Sequence, residues 1–215
     1  MRNTWTRAWL ATFIVLVGAA AIARSRHATL IKVEEPVMDW LLDGTDTSGW
    51  ARADVLGDPW LVYPGIVVLA FVAFWYSRAV AATIVLTMFF GVVTALVTKN
   101  IVGRPRPEVF EGVTSSSFPS VFVVQAGIFW GLVTLMVWWF RTPRLLWQIV
   151  LELTIVAVIL TALGRIIAGY HWPSDAVGSA IVVALSLISA AIVLEDHPPQ
   201  RRRRESAEAD ELLSV

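Results

Sequence analysis

AVAATIVLTMFFGVVTALVT, residues 79–98, runs for twenty positions without a charge and stops against Lys99. As an α-helix it would be about 30 Å long, matching a bilayer core that takes roughly 20 mostly apolar residues to cross. Working outward, five more stretches have this character: 9–23, 60–76, 121–140, 145–163 and 176–194. With 57% hydrophobic residues in 215, the chain holds more apolar side chain than one soluble core of this size can enclose. The stretches are too long for barrel strands, and each span in lipid must satisfy its own backbone hydrogen bonds. The sequence therefore predicts an all-α, polytopic membrane protein, a single bundle of six transmembrane helices.

Its expected parts are a first transmembrane helix at 1–24 with a cytoplasmic N-terminus, an extracytoplasmic connection at 25–59, a helical core at 60–194 and a disordered cytoplasmic tail at 195–215. Arg2, Arg7, Arg78, Arg141, Arg144 and Arg201 to Arg204 set those ends inside by the positive-inside rule, and Trp5, Trp75, Trp138, Trp139 and Trp147 sit there as interface anchors. Arg24 and Arg26 oppose this assignment. The first stretch also reads as a secretory signal peptide, with Ala21-Ile22-Ala23 as a cleavage site, although its removal would leave every later span oriented as before. Within the connection, Pro36 marks a helix start after Glu34 and Glu35. Val37, Met38, Trp40, Leu41 and Leu42 would be the apolar contacts of a short interfacial helix. The tail joins four arginines to Glu205, Glu208, Asp210 and Glu211, a composition of disorder whose arginines suit anionic lipid heads. Seventeen basic and seventeen acidic residues balance, so no net field draws nucleic acid. The absence of cysteine excludes disulfide and thiolate chemistry.

Counted from an inside start, the spans bring residues 99–118 and 164–175 to the same outer face. Lys99, Arg106 and Arg165 meet there with His171 and Asp175. A transferring phosphoryl group spreads charge over its equatorial oxygens, which cations and hydrogen-bond donors stabilise. Arginine offers a planar fork and lysine a point charge; with fifteen arginines and two lysines in the chain, Lys99 stands out. His171 and Asp175 are four residues apart and share a face if the sixth helix starts here, so the carboxylate can hold one ring nitrogen while the other attacks phosphorus. Each residue alone has a plainer reading. Basic residues at span ends snorkel, a membrane-edge histidine is often structural, and Asp175 in Pro173-Ser174-Asp175 is an ordinary cap. Ser120, before the fourth span, is either a cap or a donor to phosphate at a helix N-terminus.

Lys99-x6-Arg106-Pro107, Ser117-Phe118-Pro119-Ser120 and Arg165-x5-His171-x3-Asp175 resemble the three signature motifs of the type 2 phosphatidic acid phosphatase superfamily, membrane lipid phosphatases related to vanadium haloperoxidases and bacterial acid phosphatases. The likeness spans about residues 39–194. It implies a six-helix catalytic bundle without metal or other cofactor, a lipid phosphate substrate and a phosphohistidine on His171 backed by Asp175. Lys99, Arg106, Ser120 and Arg165 would bind phosphate, with Arg104 either a supporting contact or merely exposed.

The chain departs from that pattern where the family has glycine and histidine after Ser120, since Val121 and Phe122 stand there, and where it often has serine before Arg165, since Gly164 stands there. The family histidine protonates the departing oxygen, and general acids are worth about 10²- to 10⁴-fold. Its loss weighs most on an alkoxide, which like hydroxide has a conjugate acid of pKa roughly 15 to 16. A phosphate leaving from a diphosphate has a second pKa of about 6 and needs little help. An isoprenoid diphosphate is thus the expected substrate, the alternative being a pseudophosphatase that binds lipid phosphate or a partner protein. Glu108, Glu111 and Tyr170 are read as solvated loop residues. Glu152, inside the fifth span and roughly opposite Arg165 around the helix, is read as a buried helix or subunit contact.

Overall fold

The computed structural model describes residues 2–43, 45, 47–50, 52–107 and 115–198. Glu108, Glu111 and residues 199–215 of the tail expected at 195–215 lie outside the described residues, while the last helix continues to Asp196. The elements are α1 (Arg2–Ser25), α2 (His27–Leu42), a single turn α3 (Thr47–Trp50), a 3-10 turn (Ala53–Gly57), α4 (Pro59–Phe74), α5 (Arg78–Val102), α6 (Val121–Trp139), α7 (Arg144–Ile167) and α8 (Pro173–Asp196). Six helical segments, Thr4–Ser25, Ala53–Phe74, Arg78–Val102, Val121–Trp139, Arg144–Ile167 and Pro173–Asp196, are long and apolar enough to cross a membrane. This is the all-α six-span bundle the sequence predicts.

Local chemistry sets the boundaries. Asp58 accepts the Trp60 N–H at 2.8 Å ahead of Pro59 in the first turn of α4, and Ser77 accepts the Val80 N–H at the start of α5. α6 is the central helix. Its glycines 127 and 131, one turn apart, let α8 approach closely. A Cβ on them would meet Val183 and Leu187 at 2.5 and 2.3 Å, the close packing of small residues that joins helices in lipid. Ile84, Ile128, Leu132, Val182 and Leu194 fill the core. α1 is packed as a member of the bundle, with the Trp5 and Trp9 indoles donating to Glu195 and Ser189 on α8 at 2.9 and 2.8 Å. Arg24 donates to the Ile101 carbonyl at 2.6 Å, a use of a basic side chain at a helix C-terminus that needs no orientation rule.

Val67, Val68, Phe71, Phe89, Phe90, Leu153 and Ile159 are exposed on the bundle's exterior, which is the surface lipid covers. Glu152 is exposed there too. This corrects its reading as a buried contact between helices of one chain.

The connection after α1 is more helical than expected. α2 begins at His27, and Pro36 lies inside it rather than at its start. Glu34 and Met38 face inward, with Ile31, Leu41 and Leu42 packed against Ile166 and Trp172. Val33, Val37 and Trp40 form an exposed stripe on the other side.

Candidate active site

Four span ends converge at one end of the bundle: Lys99 in the last turn of α5, Ser120 before α6, Arg165 in the last turn of α7 and Asp175 in the first turn of α8. α5 stops at Gly103, whose left-handed φ of +64° lets its N–H close on the Lys99 carbonyl. The prolines that follow keep the chain extended, and it is tied down at several points. The Arg104 carbonyl accepts the Ser117 N–H at 2.8 Å, and the Pro105 carbonyl accepts the Ser117 hydroxyl at 3.1 Å and the Trp172 indole N–H at 3.0 Å. Phe118 packs so closely on α8 that a Cβ on Gly178 would lie 2.3 Å from its ring. Three segments distant in sequence thus lie against one another.

His171 is 2% exposed. Its Nδ1 lies 3.4 Å from Asp175 Oδ2 and its Nε2 3.5 Å from Arg106 Nη1. A guanidinium only donates, so the nitrogen facing it is the unprotonated one and the ring proton belongs on Nδ1, toward the carboxylate. Burial pushes the ring pKa down to about 4, against the opposing pull of Asp175 and with help from Lys99 and Arg106. The imidazole is neutral near pH 7, with the Nε2 lone pair turned toward the cations.

Asp175 is fully buried. Its Oδ2 also accepts the Trp172 N–H at 2.9 Å, while Oδ1 accepts Arg104 Nη1 at 2.9 Å. It also caps α8, not as the N-cap residue, which is Trp172, but from the third helical position, reaching back to the Trp172 N–H as in a capping box.

Arg106 donates to the Ser115 carbonyl and hydroxyl, both at 3.1 Å, and to the Tyr170 carbonyl at 2.7 Å. Burial first and the Arg165 charge second lower its pKa. Lys99 is buried within electrostatic reach of Arg106, Arg165 and Asp175. Arg165 donates to Asp54 Oδ2 at 2.9 Å, and its guanidinium lies between two rings, 4.2 Å from the centroid of Phe122 and 4.0 Å from that of Tyr170. Tyr170 is thus part of the site wall and not a solvated loop residue. Crowding like charges raises their energy, and an anion among them relieves it.

Two expected contacts differ in detail. Arg104 is neither exposed nor turned to a phosphate position: it is fully buried between Asp175 and Glu34, whose carboxylate it pairs with. Ser120 gives its N–H to Ser179 Oγ at 2.9 Å, so that group is not free for an anion. Among the described residues its buried hydroxyl caps nothing and has no partner, and the first amides of α6 lack helical acceptors by geometry.

Sequence reasoning missed Glu34 and Asp54. Glu34 had a signal, since Ile31, Glu34, Met38 and Leu41 follow a helical period that places the acid on the apolar face. Asp54 had none. Among the described residues no group of three or more His, Cys, Asp or Glu is placed to hold a metal ion.

A six-span bundle with a buried histidine among cations at one end defines a multi-pass membrane protein of phosphatase fold. The chain belongs to the PAP2 superfamily, whose family model matches residues 78–198. In fold it is similar to a transmembrane PAP2 type phosphatidylglycerolphosphate phosphatase from Bacillus subtilis, with 18% identity over 85% of this chain and 93% of that one and a TM-score of 0.72. No curated protein matches the sequence.

Proposed function

We propose that this protein is a metal-independent lipid phosphatase or phosphotransferase of the cell membrane, with its site on the extracytoplasmic face and both termini inside. His171 Nε2 attacks phosphorus and the bond from phosphorus to the leaving oxygen breaks, giving a phosphohistidine. Water or an acceptor hydroxyl then takes the phosphoryl group, the P–N bond breaks with its electron pair returning to Nε2, the acceptor's proton passes to the released phosphate or to solvent, and the neutral ring returns. Asp175 holds Nδ1–H and balances the charge that Nε2 gains. Lys99, Arg106 and Arg165, with the Ser120 hydroxyl, hold the equatorial oxygens, where charge develops. The single observation that carries this reading is a neutral, buried imidazole with a carboxylate on Nδ1 and an arginine beside Nε2.

Phe122 shapes the substrate. Its ring lies against Arg165 and cannot deliver a proton to a leaving oxygen. A diphosphate split between its phosphates tolerates that, so an isoprenoid diphosphate is the preferred class and phosphatidate or phosphatidylglycerolphosphate the poorer one. The same observation favours a second reading, a pseudophosphatase that only binds lipid phosphates. A panel of lipid mono- and diphosphates assayed with wild type and His171→Ala separates these. The enzyme reading expects phosphate release that is lost in His171→Ala, with an acid-labile phosphate trapped on wild type. Equal affinity for lipid phosphate with no turnover and no trapped phosphate would establish the binder.

A further inference from the structure

We propose that Glu34, on α2 and outside the family-matching segment, is a positioning residue for the nucleophile: through Arg104 it fixes Asp175 and so the ring of His171. This deepens the proposed function and rests on it. The chain of contacts is continuous. Asp175 Oδ2 faces His171 Nδ1, Asp175 Oδ1 takes Arg104 Nη1 at 2.9 Å, and Arg104 Nη2 pairs with Glu34 Oε2. Arg104 Nη1 also donates to Ser174 Oγ at 2.6 Å, and Glu34 Oε1 accepts the Ser174 N–H at 2.6 Å. Arg104 and Asp175 are fully buried and Glu34 is 8% exposed.

Charge explains why a second carboxylate is needed. Arg104 and Asp175 alone would make a neutral pair, leaving Asp175 little net charge to hold the Nδ1 proton against Lys99 and Arg106, both of which act on the ring. Glu34 shares the guanidinium. Two carboxylates around one cation keep a net charge of about −1 behind His171, in an interior where charge acts over short distances with little screening. Geometry adds to this, because Arg104 engages Oδ1 and leaves Oδ2 to the ring and the Trp172 N–H. The plainer alternative is that Glu34 only caps α8, whose exposed first N–H groups favour an anion. Glutamine tells them apart, since it can still accept the Ser174 N–H but carries no charge.

The test is Glu34→Gln in the full-length protein in nanodiscs, read by turnover of a polyprenyl diphosphate and by NMR of protein labelled with ¹⁵N-histidine. Only His27, His171 and His197 contribute signals, and His171→Ala assigns the relevant one. Wild type is expected to show one tautomer with the proton on Nδ1. Glu34→Gln is expected to show a tautomer mixture, with kcat lower by about 10- to 100-fold, the range seen when partners that orient a functional histidine are removed. KM and inhibition by inorganic phosphate should stay within about twofold, because Lys99, Arg106 and Arg165 are untouched. Arg104→Lys, which keeps a cation but cannot bridge both carboxylates, should act in the same direction. A Glu34→Gln protein whose His171 remains in the single wild-type tautomer overturns the proposal whatever its turnover. If wild type hydrolyses no lipid phosphate, the functional reading fails, and the tautomer comparison still decides whether Glu34 positions the ring.

Discussion

Phe122→His puts a proton donor where this chain has none, and the structure lets its effect be worked out for two substrates. On a phosphomonoester the departing alkoxide needs a proton, so the new imidazole should gain about 10²- to 10⁴-fold. The substitution also removes the ring 4.2 Å from the Arg165 guanidinium. A contact of that kind is worth roughly 0.5 to 2 kcal/mol, or about 2- to 30-fold in phosphate binding at 1.4 kcal/mol per decade. That loss falls on every substrate held by Arg165 and cancels when two are compared. A diphosphate, whose leaving phosphate has a pKa of about 6, gains little from an acid. The ratio of kcat/KM for phosphatidate to that for a polyprenyl diphosphate should therefore rise by about 10² or more. Diphosphate turnover itself should hold or fall. The assay is phosphate release by both proteins in matched nanodiscs, with equal elution volume as the folding control. A ratio unchanged within about threefold, in a protein that still turns over diphosphate, defeats the claim that the missing proton donor sets substrate choice.

Other expectations follow from the same geometry. The His171 pKa is held down near 4, so activity of the free enzyme should be lost only as pH falls through that region. The kcat/KM profile should then show no limb near 6.5 that survives correction for the substrate's own titration; a limb there would mean that the ring is not buried as described. Gly164→Ser adds a Cβ that would lie 2.9 Å from the Trp50 carbonyl and 3.2 Å from the Asp54 N–H, at a cost of about 1 to 3 kcal/mol. The melting temperature should fall and phosphate inhibition weaken as Asp54 moves off Arg165. Because the chain has no cysteine, one introduced thiol reports one site. An impermeant maleimide should label Thr29→Cys on intact cells and Arg141→Cys only after permeabilisation, and the opposite pattern would invert the proposed orientation.

The spans were legible because twenty uncharged residues have few alternatives to a membrane helix. Their ends were less so. α1 runs to Arg2 and α8 to Asp196, beyond the apolar stretches at 9–23 and 176–194, because polar residues at the membrane edge continue a helix freely. His171 and Asp175 were readable as a pair through helical spacing. Glu34 shares a helical period with Ile31, Met38 and Leu41, but Pro36 masked that signal by reading as a first-turn residue, whereas in α2 it is the tenth residue and packing of the inward stripe outweighs the lost hydrogen bond. Asp54 pairs with Arg165 across 111 positions and Glu34 with Arg104 across 70. Pairing at such distances leaves no period in a single sequence.

The two departures from the family pattern belong to one piece of structure. Trp50 and the 3-10 turn Ala53–Gly57 lie against the ends of α6 and α7 so closely that a Cβ on Gly57 would be 2.7 Å from the Phe122 carbonyl, and one on Gly164 would meet Trp50 and Asp54. A serine at 164 has no room beneath it. With that turn in place, Asp54 reaches Arg165, whose guanidinium carbon lies over the rings of Phe122 and Tyr170. Phenylalanine at 122 offers that guanidinium a π face. Glycine at 164, phenylalanine at 122 and aspartate at 54 are therefore mutually consistent. They fix Arg165 beside a residue at 122 that carries no proton to give, which under the proposed function leaves departure to the chemistry of the leaving group.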